Sequence, residues 1–591
     1  MYRKKLSYLL LTLFALLQTV SFAQTAVSHN IRLNQVGFYP NGPKLAIVTG
    51  ADSLKTTKFF LLKENTTDTV FRGTLDGGGF WKYSEENTKK ADFSSYLTPG
   101  SYVLFVPGFG TSYPFDIKAH ALLAPAKASV KGFYYQRVST ELKAEHAGIY
   151  ARKAGHPDTE VKIHPSAATA TRPETKTISS SRGWYDAGDY NKYIVNSGIT
   201  TFTLLSLYED FPAFIDTFNL NIPESGNKIP DLLDESLWNL RWMLTMQDED
   251  GGVYHKLTNA NFDDFVMPEK AKSYRYVIMK TTAASLDFAA VTAQANRVFS
   301  KFKKELPGLA DSCLKASVKA YEWAKKNPKV IYDQNEMNSK FSPHVVTGAY
   351  DDKNVTDEFQ WAALELFATT GKQNYWDDAN VAATTSFEVP NWQKVNTLGL
   401  YSVEHYKKNL EKVKGVAIVT DDILKLAKPL EAYSETSPYY TPMGTDSGDF
   451  TWGSNAVCSN EGVALIQAYL ITKDKKYLDA AIAAADYLLG RNATDFSFLT
   501  GFGEHPVMNI HHRPSDADGI KEPVPGLLSG GPNPGQQDKG NSCHKPYPSK
   551  LPAKSFLDHK CSYASNEIAI NWNAPFAYLT LAIEAIKAQE K

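Results

Sequence analysis

From about Ile31 to Lys118, apolar residues come in short runs or in alternation with polar ones. Leu45-Ala46-Ile47-Val48, Phe59-Phe60-Leu61-Leu62, Val70-Phe71 and Tyr102-Val103-Leu104-Phe105-Val106 are separated by turn residues, with Pro99-Gly100 the clearest break. Short strands spaced about ten residues apart predict a small antiparallel sandwich of immunoglobulin size. Its expected extent is 24–120. It shows no acid pair or metal cluster, and its expected role is that of a spacer. After Leu123-Ala124-Pro125 the period becomes helical and stays so, which places a second domain over 121–591. Ile229, Leu232, Leu233, Leu237, Leu240 and Leu244 share one helical face. Pro230 and Asp231 supply the proline and the acid of a first turn. Further helical patterns run near 190–207, 281–299, 311–326, 357–371, 455–472, 475–489 and 574–588. About a dozen helices with long loops and no fixed repeat predict a toroid of paired helices, not a solenoid. The loops are where function is expected.

Three loops carry candidate chemistry. The first is Gly183-Trp184-Tyr185-Asp186-Ala187-Gly188-Asp189-Tyr190, two acids three residues apart between glycines and aromatics. Glycine permits tight or left-handed backbone, so both acids can turn toward one point and hold a water. The same spacing also fits a turn whose aspartates cap backbone amides. The second loop runs from Ser497 to His511-His512-Arg513-Pro514, where His511 and Arg513 fall on one side if the chain is extended. The third runs from Gly530 to Glu567, just before the last helix. Cleavage of a glycosidic bond by inversion needs a protonated acid on the leaving oxygen and a carboxylate activating water, about 6.5–9.5 Å apart. The acid's pKa must be raised by burial or nearby negative charge. Asp186, Asp189 and Glu567 have the chemistry for these roles. Adjacent His511-His512 is not a chelating spacing.

Composition narrows the setting. The 591 residues carry a formal net charge of −1, so no basic field points to nucleic acid. The apolar fraction of 43% supports sizeable cores. The 10 Trp, 32 Tyr and 31 Phe suit large cores and sugar-stacking platforms alike. Arg3-Lys4-Lys5, the apolar run Leu9–Leu17 and the small residues of Ser21-Phe22-Ala23 read as a signal peptide over 1–23. The run is too short for a comfortable membrane span, and no cysteine follows the cleavage site to take a lipid. The expectation is a soluble monomer exported to periplasm or medium. Of the four cysteines, Cys543 and Cys561 flank a Pro-, Gly- and Lys-rich segment that a disulfide would staple; sequence leaves their pairing open.

Taken together, from about 125 to 588, these stretches resemble glycoside hydrolase family 9, the inverting cellulase family with an (α/α)6 barrel. One family signature is similar to Ser497–Arg513. Another is similar to Phe556-Leu557-Asp558 with Tyr563, Glu567, Ala569 and Asn573-Ala574. Asp-Ala-Gly-Asp, Leu489-Gly490-Arg491-Asn492 and Trp452-Gly453-Ser454-Asn455 also resemble family motifs. Leu33-Asn34-Gln35-Val36-Gly37 resembles the start of the immunoglobulin-like module that precedes many members. The resemblance implies Asp189 as general base, Asp186 as a second hold on the water and Glu567 as general acid. It implies His511 and Arg513 at the sugar beside the cleaved bond. Asp558 and Tyr563 would line the cleft, with His255 and Trp452 as further substrate contacts. No cofactor is required. Asp357-Glu358 resembles part of a family calcium site, which makes calcium the implied structural ion. Two departures stand out. His505 sits where the first signature has Asn, Lys or Arg. The cysteines that bind zinc in some members are absent around His146, His156 and His164, so no such zinc is expected. The implied activity is endo-acting hydrolysis of a β-1,4-glucan. Exo-acting cellodextrinase or β-glucosidase activity, xyloglucan or mixed-linkage glucan hydrolysis, and a non-catalytic glycan-binding protein are the alternatives. Retention of all three acids argues against the last.

Overall fold

The computed structural model describes residues 26–50, 57–410 and 412–590. The signal-peptide reading of 1–23 lies outside the described residues. The first domain is a two-sheet sandwich. One sheet orders Ile31–Arg32, Leu45–Thr49, Glu86–Asp92 and Asp76–Trp81; the other orders Gly37–Phe38, Phe115–Ile117, Gly100–Val106, Lys58–Lys63 and Thr69–Thr74. Alternation works as the sequence requires: Tyr102, Leu104 and Val106 point inward from Gly100–Val106. They meet Ile31, Leu33, Phe38, Val48, Phe59, Leu61 and Phe115 in a core separate from that of the second domain.

The segment Leu33-Asn34-Gln35 docks the sandwich onto the helices. Asn34 Nδ2 donates to Asp486 at 2.8 Å, and Gln35 N donates to the Leu489 carbonyl at 3.0 Å. Gln35 Oε1 accepts the Glu504 and His505 amides at 3.1 and 2.8 Å. A Cβ on Gly490 would meet the Leu33 carbonyl at 2.5 Å, and its φ of +132° also demands glycine. Leu489-Gly490-Arg491-Asn492 thus serves as the seat for the sandwich.

Among the described residues, twelve helices pair up to build the second domain as an (α/α)6 barrel, with further short helices in its loops. In chain order they are α1 Leu123–Tyr135, α2 Ile194–Asp210, α3 Asp231–Thr245, α4 Thr282–Phe299, α5 Leu309–Lys326, α6 Thr356–Thr370, α7 Gln373–Ala379, α8 Asn396–His405, α9 Ile418–Thr436, α10 Ser454–Thr472, α11 Lys475–Leu488 and α12 Ile570–Lys587. The even-numbered helices form the inner ring, which closes where α12 packs on α2. Each pairs with an outer neighbour: α2 with α3, α4 with α5, α6 with α7, α8 with α9, α10 with α11 and α12 with α1. Burial follows the ring. In α2 every residue but Asp210 is buried, the apolar ones together with small polar residues such as Ser197, Thr200 and Thr203. In outer α5 the buried residues Ala310, Cys313, Ser317, Ala320, Tyr321, Trp323 and Ala324 fall along one face of the helix.

Three sequence expectations are corrected. The helix expected from 190 begins at Ile194, because Lys192–Tyr193 pair as a strand with Lys256–Leu257. That strand belongs to a five-stranded sheet of two- to four-residue strands between Val161 and Val277, where helix alone was read. The last helix begins at Ile570 and carries Pro575 inside it. Cys543 and Cys561 are joined in a disulfide, while Cys313 and Cys458 are free and buried. Among the described residues no helix is long and apolar enough to cross a membrane.

Candidate active site

The Asp186–Asp189 loop is held from both sides. The amide of Asp186 donates to the Asn191 carbonyl at 3.0 Å, and its carbonyl accepts the Ile570 amide of α12 at 2.8 Å. Gly188 is required by closeness, not by φ: a Cβ there would lie 2.0 Å from the His511 carbonyl oxygen. Gly183 is the left-handed position, at φ +82°, packed under Trp242. Replacing Gly188 with Ala is therefore expected to push the loops of Asp189 and His511 apart. We expect a loss of about 1–3 kcal/mol of stability, the usual scale of overpacking, measured by chemical denaturation.

Asp186 is buried, with Oδ1 accepting from Asn196 Nδ2 at 2.8 Å and Oδ2 from Tyr350 OH at 2.7 Å. Burial, and then the Asp189 charge, push its pKa up to about 8. Asp189 Oδ2 accepts from Asn191 Nδ2 at 2.5 Å and Tyr193 OH at 3.2 Å. Its other oxygen, Oδ1, has no protein donor although it is buried. One oxygen is thus oriented by protein and the other is left for a water.

Glu567 sits between the short turn Tyr563–Asn566 and α12. Its backbone is pinned: the His511 amide donates to the Asn566 carbonyl at 2.9 Å, and the Gly530 amide to the Glu567 carbonyl at 2.8 Å. Its Oε1 accepts the Gly188 amide at 3.3 Å, which sets this carboxyl one residue from Asp189. Burial raises the Glu567 pKa well above the carboxylate range, with Asp189 and Asp186 adding to the shift and Arg513 opposing it. The three acids are brought together, and their environments differ as an acid and a base require.

The other expected residues divide by what they touch. His511 donates Nδ1–H to the Lys560 carbonyl at 2.7 Å, leaving Nε2 as an acceptor. Burial lowers its pKa to about 4. Its ring meets Phe265 edge-on at 5.1 Å and Tyr563 at 6.0 Å. Tyr563 in turn lies against Trp452 at 5.2 Å, and Trp452 is 41% exposed. Arg513 stacks on Phe265 and Phe262 at 5.1 and 5.6 Å. Trp452, Tyr563, His511 and Phe265 therefore form a continuous row of rings beside the acids, with Phe262 joined to it through Arg513. Arg513, expected at the sugar, is itself buried and grips the loop, with Nη1 on the Gly188 carbonyl and Nε on the Asp263 carbonyl, both at 2.8 Å.

Two of the expected substrate contacts also support the surrounding structure. His255 is buried, with its nitrogens bonded to Thr281 Oγ1 at 3.1 Å and the Ala349 carbonyl at 2.8 Å, and it stacks on Tyr332. Through Ala349 it steadies Tyr350, which holds Asp186. Asp558 accepts from the Met508 and Asn509 amides at 3.0 and 2.8 Å and from Asn566 Nδ2 at 2.9 Å, fastening the two signature loops together. Sequence reasoning missed Tyr350, Asn191, Asn196 and Tyr193. Asn191 lies close enough to Asp189 in the chain to have been flagged. Tyr350 is 164 residues from Asp186 and carries no local signal.

Asp357 and Glu358 open α6 beside two further acids, Asp287 of α4 and Asp352. Both Asp287 oxygens, both Glu358 oxygens and Asp352 Oδ2 are buried without a hydrogen-bond donor. Burial and mutual repulsion push Asp287 and Glu358 well above the carboxylate range. Asp357 is partly engaged, accepting the Val395 amide at 2.9 Å.

Residues 124–580 match Glycosyl hydrolase family 9, and residues 26–111 match the Cellulase N-terminal ig-like domain. The chain is 44% identical over 585 residues to the xyloglucan-specific endo-beta-1,4-glucanase BoGH9A of Bacteroides ovatus, covering 98% of each. It is 34% identical to endoglucanase D of Acetivibrio thermocellus, over 93% of this chain and 82% of that one. A solved structure described as Bacteroides ovatus GH9 superposes with a TM-score of 0.86 at 41% identity, covering 95% of this chain and 99% of that chain.

Proposed function

The chain belongs to glycoside hydrolase family 9, and on that premise we propose that it is an exported, inverting endo-β-1,4-glucanase whose preferred substrate is xyloglucan. The observation that carries the catalytic reading is the Glu567 carboxyl held by the Gly188 amide, one residue from an Asp189 with a buried, unpartnered oxygen. Glu567 protonates the leaving glycosidic oxygen. A water held between Asp189 Oδ1 and the Asp186 side chain attacks the anomeric carbon from the opposite face and gives its proton to Asp189. The C–O bond breaks as the new one forms, and the product is released first as the α-anomer. Neutral His511 accepts from a sugar hydroxyl through Nε2. The similarity to the xyloglucan-specific relative, across nearly all of both chains, supports the substrate choice. The test is product profiling on xyloglucan, mixed-linkage glucan and cellohexaose with proton NMR of the nascent reducing ends. A higher kcat/KM on cellohexaose than on xyloglucan overturns the substrate; an initial β-anomer overturns inversion.

The row of rings predicts a binding effect. Trp452→Ala removes the exposed end of the platform, far enough along the row to leave the acids in place. Stacking on one ring is worth about 0.5–1.5 kcal/mol, so KM on the polymer should rise about 2–12-fold with kcat nearly unchanged. A fall in kcat at constant KM assigns Trp452 another role.

The buried, unpartnered carboxylates near the start of α6 support the reading that this is a calcium site, since calcium takes six to eight oxygens and favours carboxylates. Asp287, Asp352, Asp357 and Glu358 would hold the ion. It would neutralise a buried like-charge cluster and brace α4 against α6. Because Asp287 also packs on Gly198 of α2, two residues past Asn196, the brace reaches the Asp186 support. Added calcium at about 100 times its Kd should stabilise folding by about 2.7 kcal/mol. Chelation should reverse this, and Glu358→Gln should abolish it. An unfolding temperature indifferent to calcium in the unsubstituted protein rules the ion out.

A further inference from the structure

The sandwich and the barrel meet at a second cluster of ligating side chains, away from the acids of the cleft. It comprises His29 from the sandwich with Asp495 and His505 from the barrel. One ring nitrogen of each histidine and a carboxylate oxygen of Asp495 lie within 4.8 Å of one another. From this geometry we propose that the three residues bind a divalent transition-metal ion of the zinc class, which clamps the two domains together.

Four observations carry it. First, the donor set is two imidazoles and a carboxylate, which suits zinc and leaves a fourth, tetrahedral position for water. Second, Asp495 is 4% exposed, and its Oδ1 is buried with no hydrogen-bond donor while Oδ2 meets His29 Nδ1 at 2.8 Å. A buried carboxylate facing histidines with an unsatisfied oxygen is underpaired, and a cation completes it. Third, His505 is held in place before any ion arrives. Its Nδ1 bonds the Asp495 carbonyl at 3.0 Å, and its ring stacks on Phe496 at 4.0 Å and faces Tyr113 at 6.1 Å. A fixed second shell of this kind is what orients a histidine ligand. Fourth, the adaptable member is at the surface: the His29 side chain is 68% exposed. Ligands about 2.0–2.1 Å from zinc stand roughly 3.3 Å apart; His29 Nδ1 is now 2.8 Å from Asp495 Oδ2, so a small shift of this exposed ring opens the spacing without moving the barrel. His505 is also the residue that departs from the family signature, and the site gives that departure a use. The ion would sit beside Gln35, whose side chain already joins Asp495 and His505 to the sandwich.

The test uses the untagged, oxidised mature protein in excess calcium, so that the α6 acids are occupied and the Cys543–Cys561 disulfide withholds its thiolates from the nearby His559. Zinc is titrated by competition with a chromophoric chelator, and crystals soaked in zinc are measured at the zinc edge. We expect one zinc per chain, an anomalous peak among His29, Asp495 and His505, and a higher unfolding temperature with zinc. His29→Ala, a surface change, should weaken zinc by more than the roughly 10–100-fold that loss of an outer-shell partner costs. His505→Asn should do the same, and hydrolysis by the metal-free His29→Ala protein should match the unsubstituted one. No bound zinc, a peak elsewhere, or an affinity unchanged in both variants overturns the proposal.

Discussion

Replacing Glu567 by Gln should lower kcat on xyloglucan by about 10²–10⁴, the usual contribution of a positioned general acid, and leave KM close to its original value. Glutamine keeps the size of the side chain and can still accept the Gly188 amide, so circular dichroism and thermal unfolding should be nearly unchanged. The decisive comparison is with an aryl β-glycoside whose phenol is acidic enough to leave without protonation. On that substrate the Gln variant should retain most of its activity, because the missing proton is no longer needed. The pH profile supplies a second readout. Glu567 must be protonated to act, and burial with the Asp189 and Asp186 charges raises its pKa. Activity should therefore persist above the ordinary carboxylate range and fall only as Glu567 ionises on the alkaline side. With the aryl glycoside that alkaline limb should flatten in the Gln variant. An equal loss on both substrates, or an alkaline limb that survives the substitution, would remove Glu567 from the role of acid.

The same raised pKa has a consequence for folding. A carboxyl whose folded pKa lies above its unfolded value binds protons more tightly when folded. It favours the folded state while protonated and opposes it once both states ionise. Asp186, raised to about 8, and Glu567 therefore make the site more costly to maintain as pH rises from the carboxylate range through their folded pKa values. Once these carboxyls ionise, the site becomes a cluster of like charges that its surroundings must hold. Tyr350, Asn196, the Gly188 amide and Arg513 are those surroundings.

This explains what the sequence could and could not reveal. The sandwich and most of the barrel were legible because period-two and period-3.6 patterns survive in elements of five or more residues. Outer helices such as α5 show a stripe, and inner ones such as α2 keep enough apolar residues among small polar ones to read as helix. The five-stranded sheet was not legible: two- to four-residue strands have no period to detect, and their pairing is set by partners up to about a hundred residues away. The three acids were legible through flanking motifs. Their supports were not, because Tyr350 reaches Asp186 from a loop that carries no motif of its own. His255 and Asp558 show the converse. Their place in recognisable stretches suggested contact with substrate, and it did not reveal that the His255 ring bonds Thr281 and the Ala349 carbonyl or that Asp558 ties the two signature loops together. Gly188 had the marks of a conformational glycine and proved to be a packing one.

Asp189→Asn should be the other large loss, again about 10²–10⁴ in kcat, but with the opposite substrate dependence. The base is needed whatever leaves, so the variant should be impaired on xyloglucan and on the activated aryl glycoside alike. Asparagine can still meet Asn191 and Tyr193 by reorienting its amide, so the fold should hold. What it cannot do is take a proton from the attacking water. Azide needs no deprotonation, and it is small enough to stand where the water stood. Adding it should restore part of the rate in Asp189→Asn and yield the α-glycosyl azide, the leaving oxygen still taking its proton from Glu567. In Glu567→Gln azide should restore nothing on xyloglucan, because the missing step there is departure and not attack. Asp186→Asn separates the two members of the pair. Asp186 already has both oxygens engaged, by Asn196 and Tyr350, so its removal should disturb the placing of the water and respond weakly to azide. If azide rescued Asp186→Asn and left Asp189→Asn inactive, the base would be Asp186 and the roles of the pair would be exchanged. A β-azide from either variant would instead mean a covalent glycosyl intermediate and a retaining enzyme. The geometry speaks against the exchange of roles: of the two aspartates, only Asp189 keeps a buried oxygen without a protein donor.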